Sequence, residues 1–429
     1  MELGKTIRFG ESVKVDGLEL NAVIPIYDTE EIFIIAKQQS LRFLPELWCK
    51  WGHYKWSLMD QSVTKDSAYG WYGSYTSKIP KALINALLLG ESLEIKLKHG
   101  HSEFSMQVKD HGLRPKETPF NVVESLNPIF FDSEDILRKK TIKNFNKHCG
   151  SILRRLLPWI EFHLMHGVSQ IFVSQPMRYK KNGEEWINFW EELLRPYLET
   201  EEVKLIIFED IAEMARNNEL GGCIAPATHQ NISQLWSMSL SRGRSVWFGN
   251  HDLDEYIVPS RTGFFEGEKN INEILQELNP MYNFIDTRMF MVEAPAKEQI
   301  LIAGNIAAEA FMPKCQKFLV KINDANLVWC HGVSNWKKPP KGIENSPLRL
   351  NHYRMKTSNG WIPSEAASIK RWNPNSIPKI YEKDLSKDHF TVLDKIEKRY
   401  GMAHGKFLRF MQQKYSHLKE LKTQNLTGE

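Results

Sequence analysis

The sequence has few cysteines and no long apolar run. Its five cysteines are an odd number, are widely spaced and form no C-x-x-C pair, so a disulfide framework and a cysteine zinc site are not expected. No stretch of about 18 apolar residues occurs, which argues against a membrane-spanning helix. The segment Met1 to Lys5 lacks the apolar core of a signal peptide. We therefore expect a cytoplasmic protein with no membrane span.

Several common catalytic motifs are also missing. The chain contains no G-x-G-x-x-G, no Walker A loop and no G-x-S-x-G. Their absence argues against a dinucleotide oxidoreductase, a P-loop ATPase and an ordinary α/β-hydrolase. The net charge is only +4 over 429 residues, so the composition indicates no nucleic-acid partner.

Hydrophobic patterning predicts three parts in the chain, about the number that its length suggests. Residues 1–118 are rich in strand-like segments, and alternation around a glycine predicts a hairpin over Leu93 to Val108. We predict a separate all-β sandwich there, then an α/β domain over 119–375 and a basic helical extension over 376–429. The aromatic residues between Trp48 and Tyr75 either form the core of the sandwich or stack on sugar rings.

Helices and strands alternate beyond residue 120. Apolar periodicity predicts helices over Ser151 to His166 and Glu184 to Tyr197, each followed by a buried strand. A third helix is expected over Asn231 to Ser241. Helices between strands are typical of βαβ units with a mostly parallel sheet. Near the C-terminus, Asp388 to Leu421 predicts one or two amphipathic helices.

The most informative segment is Ser245 to Pro259, in which an apolar run ends in acidic residues. It places Asp252, Asp254 and Glu255 within four positions. Side chains two apart in an extended segment point the same way. Carboxylates at the end of a strand suit a hard divalent cation that takes phosphate oxygens as further ligands. The structural alternative is a solvated turn or a helix N-cap.

Four segments occur in a characteristic order: Leu157 to Val168 with a W-x-E-x-H pattern, Gln230 to Pro259 with D-x-D-E-Y, Lys317 to Val333, and Leu350 to Thr357 with H-Y-R-x-K. Together they resemble the family 92 glycosyltransferases, over about residues 150 to 360. The resemblance implies a GT-A-type, Rossmann-like mixed sheet in the α/β domain.

The resemblance also implies a reaction. It is the metal-dependent, inverting transfer of a sugar, typically galactose, from a UDP-sugar to a glycan acceptor. Asp252, Asp254 and His331 would hold Mn2+ or Mg2+, whose charge offsets the charge that develops on the leaving group.

Two further groups of residues are implied for this chemistry. The residues expected to bind the donor diphosphate are cationic or able to become so, and lie close together: His352, Arg354 and Lys356. The candidates for the base that takes the acceptor proton are carboxylates: Asp286, Glu309 and Glu255. The residues themselves do not select one of the three.

Three other functions stay open at this stage. The chain could be a glycan-binding protein with a degenerate transferase domain, which would use the N-terminal aromatic residues. It could be a metal-dependent phosphohydrolase, because a D-x-D pair also serves phosphoryl chemistry. The basic tail could also make peripheral contact with a membrane surface.

Overall fold

The computed structural model describes residues 6–9, 13–38, 44–63, 71–111, 113–126, 152–177, 183–209, 224–259, 269–293, 306–309, 317–329, 332–343, 346–354 and 386–415. This described part forms seven α-helices: α1 (Lys81–Leu88), α2 (Ile152–Met165), α3 (Gly183–Glu199), α4 (Ile224–Ser241), α5 (Ile271–Leu278), α6 (Ser386–Tyr400) and α7 (His404–Lys414).

The strands of the first third of the chain are β1 (Thr6–Phe9), β2 (Val13–Val15), β3 (Leu18–Ile26), β4 (Glu31–Gln38), β5 (Trp48–Trp51), β6 (Ser57–Leu58), β7 (Asp60–Val63), β8 (Trp71–Lys78), β9 (Leu93–His99), β10 (Ser102–Val108) and β11 (Phe120–Leu126). The later strands are β12 (Gln170–Met177), β13 (Val203–Glu209), β14 (Ser245–His251), β15 (Glu255–Pro259), β16 (Phe284–Glu293), β17 (Ile306–Glu309), β18 (Lys317–Lys321), β19 (Ala325–Trp329), β20 (Gly332–Trp336) and β21 (Leu348–Arg354).

A ten-stranded mixed sheet forms the centre of the molecule. Its strand order is β1-β13-β12-β11-β14-β18-β16-β21-β15, and β17 pairs with β16. The first five of these strands are mutually parallel. From β14 onward the pairing is mostly antiparallel, with β16 and β21 as the parallel exception. The expected α/β class with a mixed sheet is therefore confirmed.

Each face of the large sheet carries its own apolar core. Alternate residues of a strand point to opposite faces, so Trp247 joins the core beneath α2, α3 and α5. Its neighbour Phe248 joins the second core, which α4 covers. β14 is therefore buried on both faces, as strands in the parallel part of such sheets are.

The N-terminal residues form two antiparallel sheets that share a core. The sheets are β2-β3-β4-β8-β7 and β10-β9-β5-β6, and residues such as Ile34 and Leu97 from the two sheets lie in one cluster. The expected hairpin is present, with β9 and β10 paired on both sides of Gly100, whose φ is +57°.

Three features of this region were not expected. Helix α1 follows Pro80 and buries Ile84 and Leu87, so the module is not purely β. β1 pairs in parallel with β13 of the large sheet. Ile24 and Phe33 lie in the core that α4 covers, so β3 and β4 are buried on both faces. The predicted boundary at residue 118 stays a prediction, but the sandwich packs directly on the central domain.

The predicted helices of the α/β region match α2, α3 and α4, and the predicted C-terminal pair matches α6 and α7, which are separated by Gly401. The segmentation could be read from the sequence because apolar periodicity and glycine stops are local signals. None of the described helices is both long and apolar enough to cross a membrane.

Arg399 attaches the C-terminal helices to the central domain. Its Nε donates to Glu161 Oε2 at 2.8 Å, and its two terminal nitrogens donate to the Glu202 carboxylate at 2.7 and 3.0 Å. The Tyr197 hydroxyl also donates to Glu161 Oε2, at 3.0 Å. Since the Glu161 side chain is buried, its charge depends on these partners.

We expect Arg399→Ala to lower the free energy of unfolding by about 3 kcal/mol, because it leaves the buried Glu161 carboxylate without its main cation. Urea unfolding followed by tryptophan fluorescence measures the change. Arg409→Ala, at an exposed position of α7, is the matched control and should change stability by less than about 0.5 kcal/mol. Equal losses in both variants would contradict this role.

Candidate functional site

The acidic residues lie in a turn at the carboxyl edge of the parallel strands. β11 and β14 end together, with Leu126 opposite His251. Asp252 to Asp254 then form the connection to β15, and the Glu255 N–H donates to the Asp252 carbonyl at 3.0 Å. The carboxyl edge of such a sheet is where α/β proteins bind ligands. We call Asp252 to Glu255 the acidic turn.

Both oxygens of the Asp252 carboxylate have a partner. Oδ1 accepts from Gln230 Nε2 at 3.3 Å, and Oδ2 lies 3.1 Å from Lys317 Nζ. Gln230 comes from α4, which covers one face of the sheet, and Lys317 comes from β18, the strand next to β14. The Asp252 side chain is 31% exposed, so the carboxylate is held in place and still reaches solvent.

Glu255 and Lys317 form a buried ion pair below the acidic turn. Glu255 Oε2 lies 3.3 Å from Lys317 Nζ and accepts from the Asp252 N–H at 2.8 Å. The side chains of Lys317 and Glu255 are 1% and 3% exposed. Burial raises the pKa of Glu255, and the charge of Lys317 acts in the opposite direction. Lys317 therefore joins the two carboxylates into one unit.

Asp254 faces the neighbouring strand β21. Its Oδ2 lies 3.6 Å from His352 Nε2, and the two side chains are 16% and 9% exposed. His352 is the cross-strand partner of Glu255. The imidazole therefore lies beside the outer carboxylate of the acidic turn.

A buried cluster of Glu124, His163 and His251 lies behind the acidic turn. Glu124 Oε2 is 3.8 Å from His163 Nε2 and 3.8 Å from His251 Nδ1. Burial raises the pKa of Glu124 to about 8 and lowers that of His163 to about 3. Burial, His163 and Lys317 all lower the pKa of His251. At neutral pH the three side chains are therefore uncharged.

His163 connects this cluster to the backbone of the next strand. The Ile257 N–H donates to His163 Nε2 at 3.3 Å, so the proton of the neutral ring is on Nδ1, which donates to the Trp159 carbonyl at 2.8 Å. The Trp159 indole N–H donates to the Glu255 carbonyl at 2.7 Å. Helix α2 thus fixes the start of β15, and with it the acidic turn.

The predicted base Asp286 lies on the other face of the sheet from Lys317. Asp286 pairs with Phe318, while Thr287 pairs with Lys317, and neighbouring residues of a strand point to opposite faces. Burial raises the pKa of Asp286 to about 6. Asp286 therefore does not share the face on which Lys317 contacts Asp252 and Glu255.

The other predicted residues are only partly described. Glu309 lies on β17 and Arg354 ends β21, but their side chains lie outside the described part. His331 and Lys356 lie wholly outside the described residues. Of the nine predicted residues, the structure brings together Asp252, Asp254, Glu255 and His352. The role of His331 as a third metal ligand therefore stays a prediction.

Sequence reasoning missed Lys317 and Glu124 as members of this site. Glu124 is a charged residue inside an apolar strand, after Val122 and Val123, whereas Lys317 is the first residue of its strand. Because buried charges are rare unless they have partners, the interruption at Glu124 is a signal that could have identified it, and Lys317 carries no such local signal.

The donor set fits a divalent cation only when a further ligand completes its coordination, because both Asp252 oxygens already have protein partners. Within the residues that the structure describes, no three His, Cys, Asp or Glu side chains are grouped so as to hold a metal ion by themselves. Asp252 and Asp254 supply carboxylate oxygens at a partly open edge. Mg2+ is commonly held by one or two carboxylates together with waters and substrate phosphates.

Comparison with known proteins identifies no family. No protein-family model matches the chain, and no curated protein sequence matches it. The crystal structure of HddC from Yersinia pseudotuberculosis is similar at 9% identity, over 59% of this chain and 100% of that one, with a TM-score of 0.25. Purple acid phosphatase PPD1 from yellow lupin (Lupinus luteus) seeds is similar at 10% identity, over 47% and 38%, with a TM-score of 0.15. Such low TM-scores carry no argument about fold or function.

Gly249 makes room for the buried cluster. A Cβ at this position would lie 2.7 Å from Leu319 Cδ2 and 3.1 Å from His251 Cε1. We expect Gly249→Ala to lower the free energy of unfolding by about 2 kcal/mol, because the added methyl group would overpack the core there. Gly405→Ala is the control, since its Cβ would meet nothing within 4 Å. Equal urea midpoints for the two variants would contradict this packing.

Glu124 should make stability depend on pH. Its pKa in the folded protein, about 8, lies above the ordinary 4.5. Its contribution to the free energy of unfolding is therefore fully present below about pH 4.5 and is lost as the pH rises through 8. His163 acts oppositely, because its folded pKa is lowered from 6.5 to about 3. The contribution of His163 to stability is present above pH 6.5 and lost as the pH falls, so the interval above pH 6.5 separates Glu124 from His163.

We therefore expect the wild type to lose stability between about pH 6.5 and 8.5, and Glu124→Gln to lose much less. The free energy of urea unfolding at the two pH values measures the difference. Glu94→Gln, at an exposed position of β9, serves as control and should follow the wild type. An unchanged pH dependence in Glu124→Gln would show that this carboxyl group does not titrate in the interval.

Proposed function

We propose that this protein transfers a sugar from a UDP-sugar to a glycan acceptor, with inversion at the anomeric carbon and with a divalent cation at the acidic turn. The proposal includes a GT-A arrangement of the central domain and galactose as the donor sugar. A nucleotide sugar and a glycan acceptor are then the partners, and the cytoplasm is the proposed location.

One observation carries the proposal. Asp252 and Asp254 are held at the carboxyl edge of the parallel strands, partly open to solvent, with Lys317 and His352 beside them. A diphosphate needs positive charge, and a cation needs carboxylates. At the acidic turn, carboxylates and nitrogen groups able to carry positive charge lie within a few ångströms of each other.

The proposed chemistry assigns different tasks to these side chains. Asp252 and Asp254 would hold the cation, whose charge offsets that of the departing diphosphate. The acceptor hydroxyl oxygen attacks the anomeric carbon, the bond from that carbon to the diphosphate oxygen breaks, and a carboxylate takes the hydroxyl proton. Glu255 is engaged by Lys317 and the Asp252 N–H, and Asp286 faces away from Lys317, so the proposal does not select the base among Asp286, Glu309 and Glu255.

A second candidate function rests on the N-terminal module. Trp48 and Tyr54 are 38% and 40% exposed, and Leu58, the cross-strand partner of Trp48, is also exposed. By contrast, Trp51 is buried in the core of the module. Exposed aromatic rings can stack on sugars, so Trp48 on β5 and Tyr54 in the turn after it favour glycan binding in addition to transfer, or in place of it.

A panel of UDP-sugars and GDP-sugars in a nucleotide-release assay tests the proposal. We expect release from one UDP-sugar with Mn2+ and none with EDTA. Asp254→Asn should lower release about 100-fold or more, because several kcal/mol of charge stabilisation depends on the cation. The fold should be retained, as judged by circular dichroism.

Asp394→Asn is the matched control, because Asp394 is an exposed carboxylate of α6 that pairs with Lys398. It should behave as the wild type. Release of inorganic phosphate without sugar transfer would favour a phosphohydrolase. Glycan binding that is lost in Trp48→Ala, with no release from any donor, would favour the binding protein.

A further inference from the structure

Lys317 occupies the place where a cation would bind Asp252. Its ammonium group lies 3.1 Å from Asp252 Oδ2 and 3.3 Å from Glu255 Oε2. The other Asp252 oxygen accepts from Gln230 Nε2. A divalent cation that approaches Asp252 therefore meets a carboxylate whose two oxygens are both in use.

Lys317 also weakens the attraction of the acidic turn for a cation. Asp252, Asp254 and Glu255 would carry three negative charges, and Lys317 offsets one of them from a position that is 1% exposed. A buried ammonium group interacts more strongly than one in water, since the surrounding dielectric is low. A cation without other ligands must therefore bind against the repulsion of Lys317.

We propose that Lys317 makes cation binding at the acidic turn depend on the donor diphosphate. This inference rests on the proposed function. In the free protein the ammonium group holds Asp252 and disfavours the metal ion. When a diphosphate is bound at the open edge, its oxygens give the ammonium group another anionic partner and free Asp252 Oδ2 for the cation. Lys317 is a positioning residue that couples the two ligands.

The exchange requires the end of the Lys317 side chain to move. Its side chain is 1% exposed, whereas the Asp252 carboxylate that it contacts is 31% exposed, so the ammonium group would turn past Asp252 to meet a phosphate. A lysine carries three donors on a flexible stem. By linkage, the factor by which UDP tightens Mn2+ binding equals the factor by which Mn2+ tightens UDP binding.

Mn2+ binding measured by electron paramagnetic resonance, with and without saturating UDP, tests the proposal without any turnover. For the wild type we expect weak binding of Mn2+ alone and at least tenfold tighter binding with UDP. Lys317→Met should bind Mn2+ alone at least tenfold tighter than the wild type, and UDP should then tighten Mn2+ binding by a smaller factor than it does in the wild type. Lys317→Gln, which keeps a hydrogen-bond donor without the charge, should behave in the same way.

Lys321→Met is the matched control. Lys321 lies on the same strand and the same face, about 13 Å away, and contacts the Asn279 carbonyl. It should bind Mn2+ as the wild type does. An unchanged affinity for Mn2+ alone in a folded Lys317→Met or Lys317→Gln variant overturns the proposal, and so does a wild type whose Mn2+ affinity is the same with and without UDP.

The same measurements separate this inference from the proposed function. If UDP binds with Mn2+ but the Lys317 variants bind Mn2+ alone no tighter than the wild type, only the coupling is wrong. If UDP does not bind to the wild type at any Mn2+ concentration, the proposed function fails first, and the coupling fails with it.

Discussion

The candidate site depends on the buried ammonium group of Lys317. Lys317 lies between Asp252 and Glu255, and without it two carboxylates would lie close together at the end of β14 with no charge to offset them. Removing one member of a buried ion pair costs far more than an exposed pair is worth. The geometry of the acidic turn is therefore held by the protein itself, through a residue from a distant part of the chain.

The large sheet explains why these groups meet. β14 lies between the parallel strand β11 and the antiparallel strand β18, so it connects the two halves of the sheet. β11 supplies Glu124 and β18 supplies Lys317, while α2 and α4 reach the acidic turn from opposite faces. The site thus draws on both apolar cores, and packing changes at Gly249 or Trp159 would reach it through short contacts.

Local signals in the sequence were sufficient for most helices and strands and for the position of the acidic turn. The apolar run before Asp252 predicts a strand end, and β14 ends at His251. Asp252 and Asp254 lie in a turn with different partners, however, and not in the extended segment that their spacing predicts. Non-local pairings were not predictable in this way. β1 pairs with β13 across about two hundred residues, and Lys317 reaches Asp252 only because β18 runs beside β14. Periodicity describes which face a residue takes, but not which strand lies next to it.

The most direct measurement is a crystal structure of the protein soaked with UDP and Mn2+, with anomalous diffraction used to locate the manganese. We expect an anomalous peak within coordination distance, about 2.0–2.6 Å, of an oxygen of Asp252 or Asp254, with the diphosphate of UDP on its other side. UDP bound elsewhere in the molecule, or manganese away from the acidic turn, would contradict it.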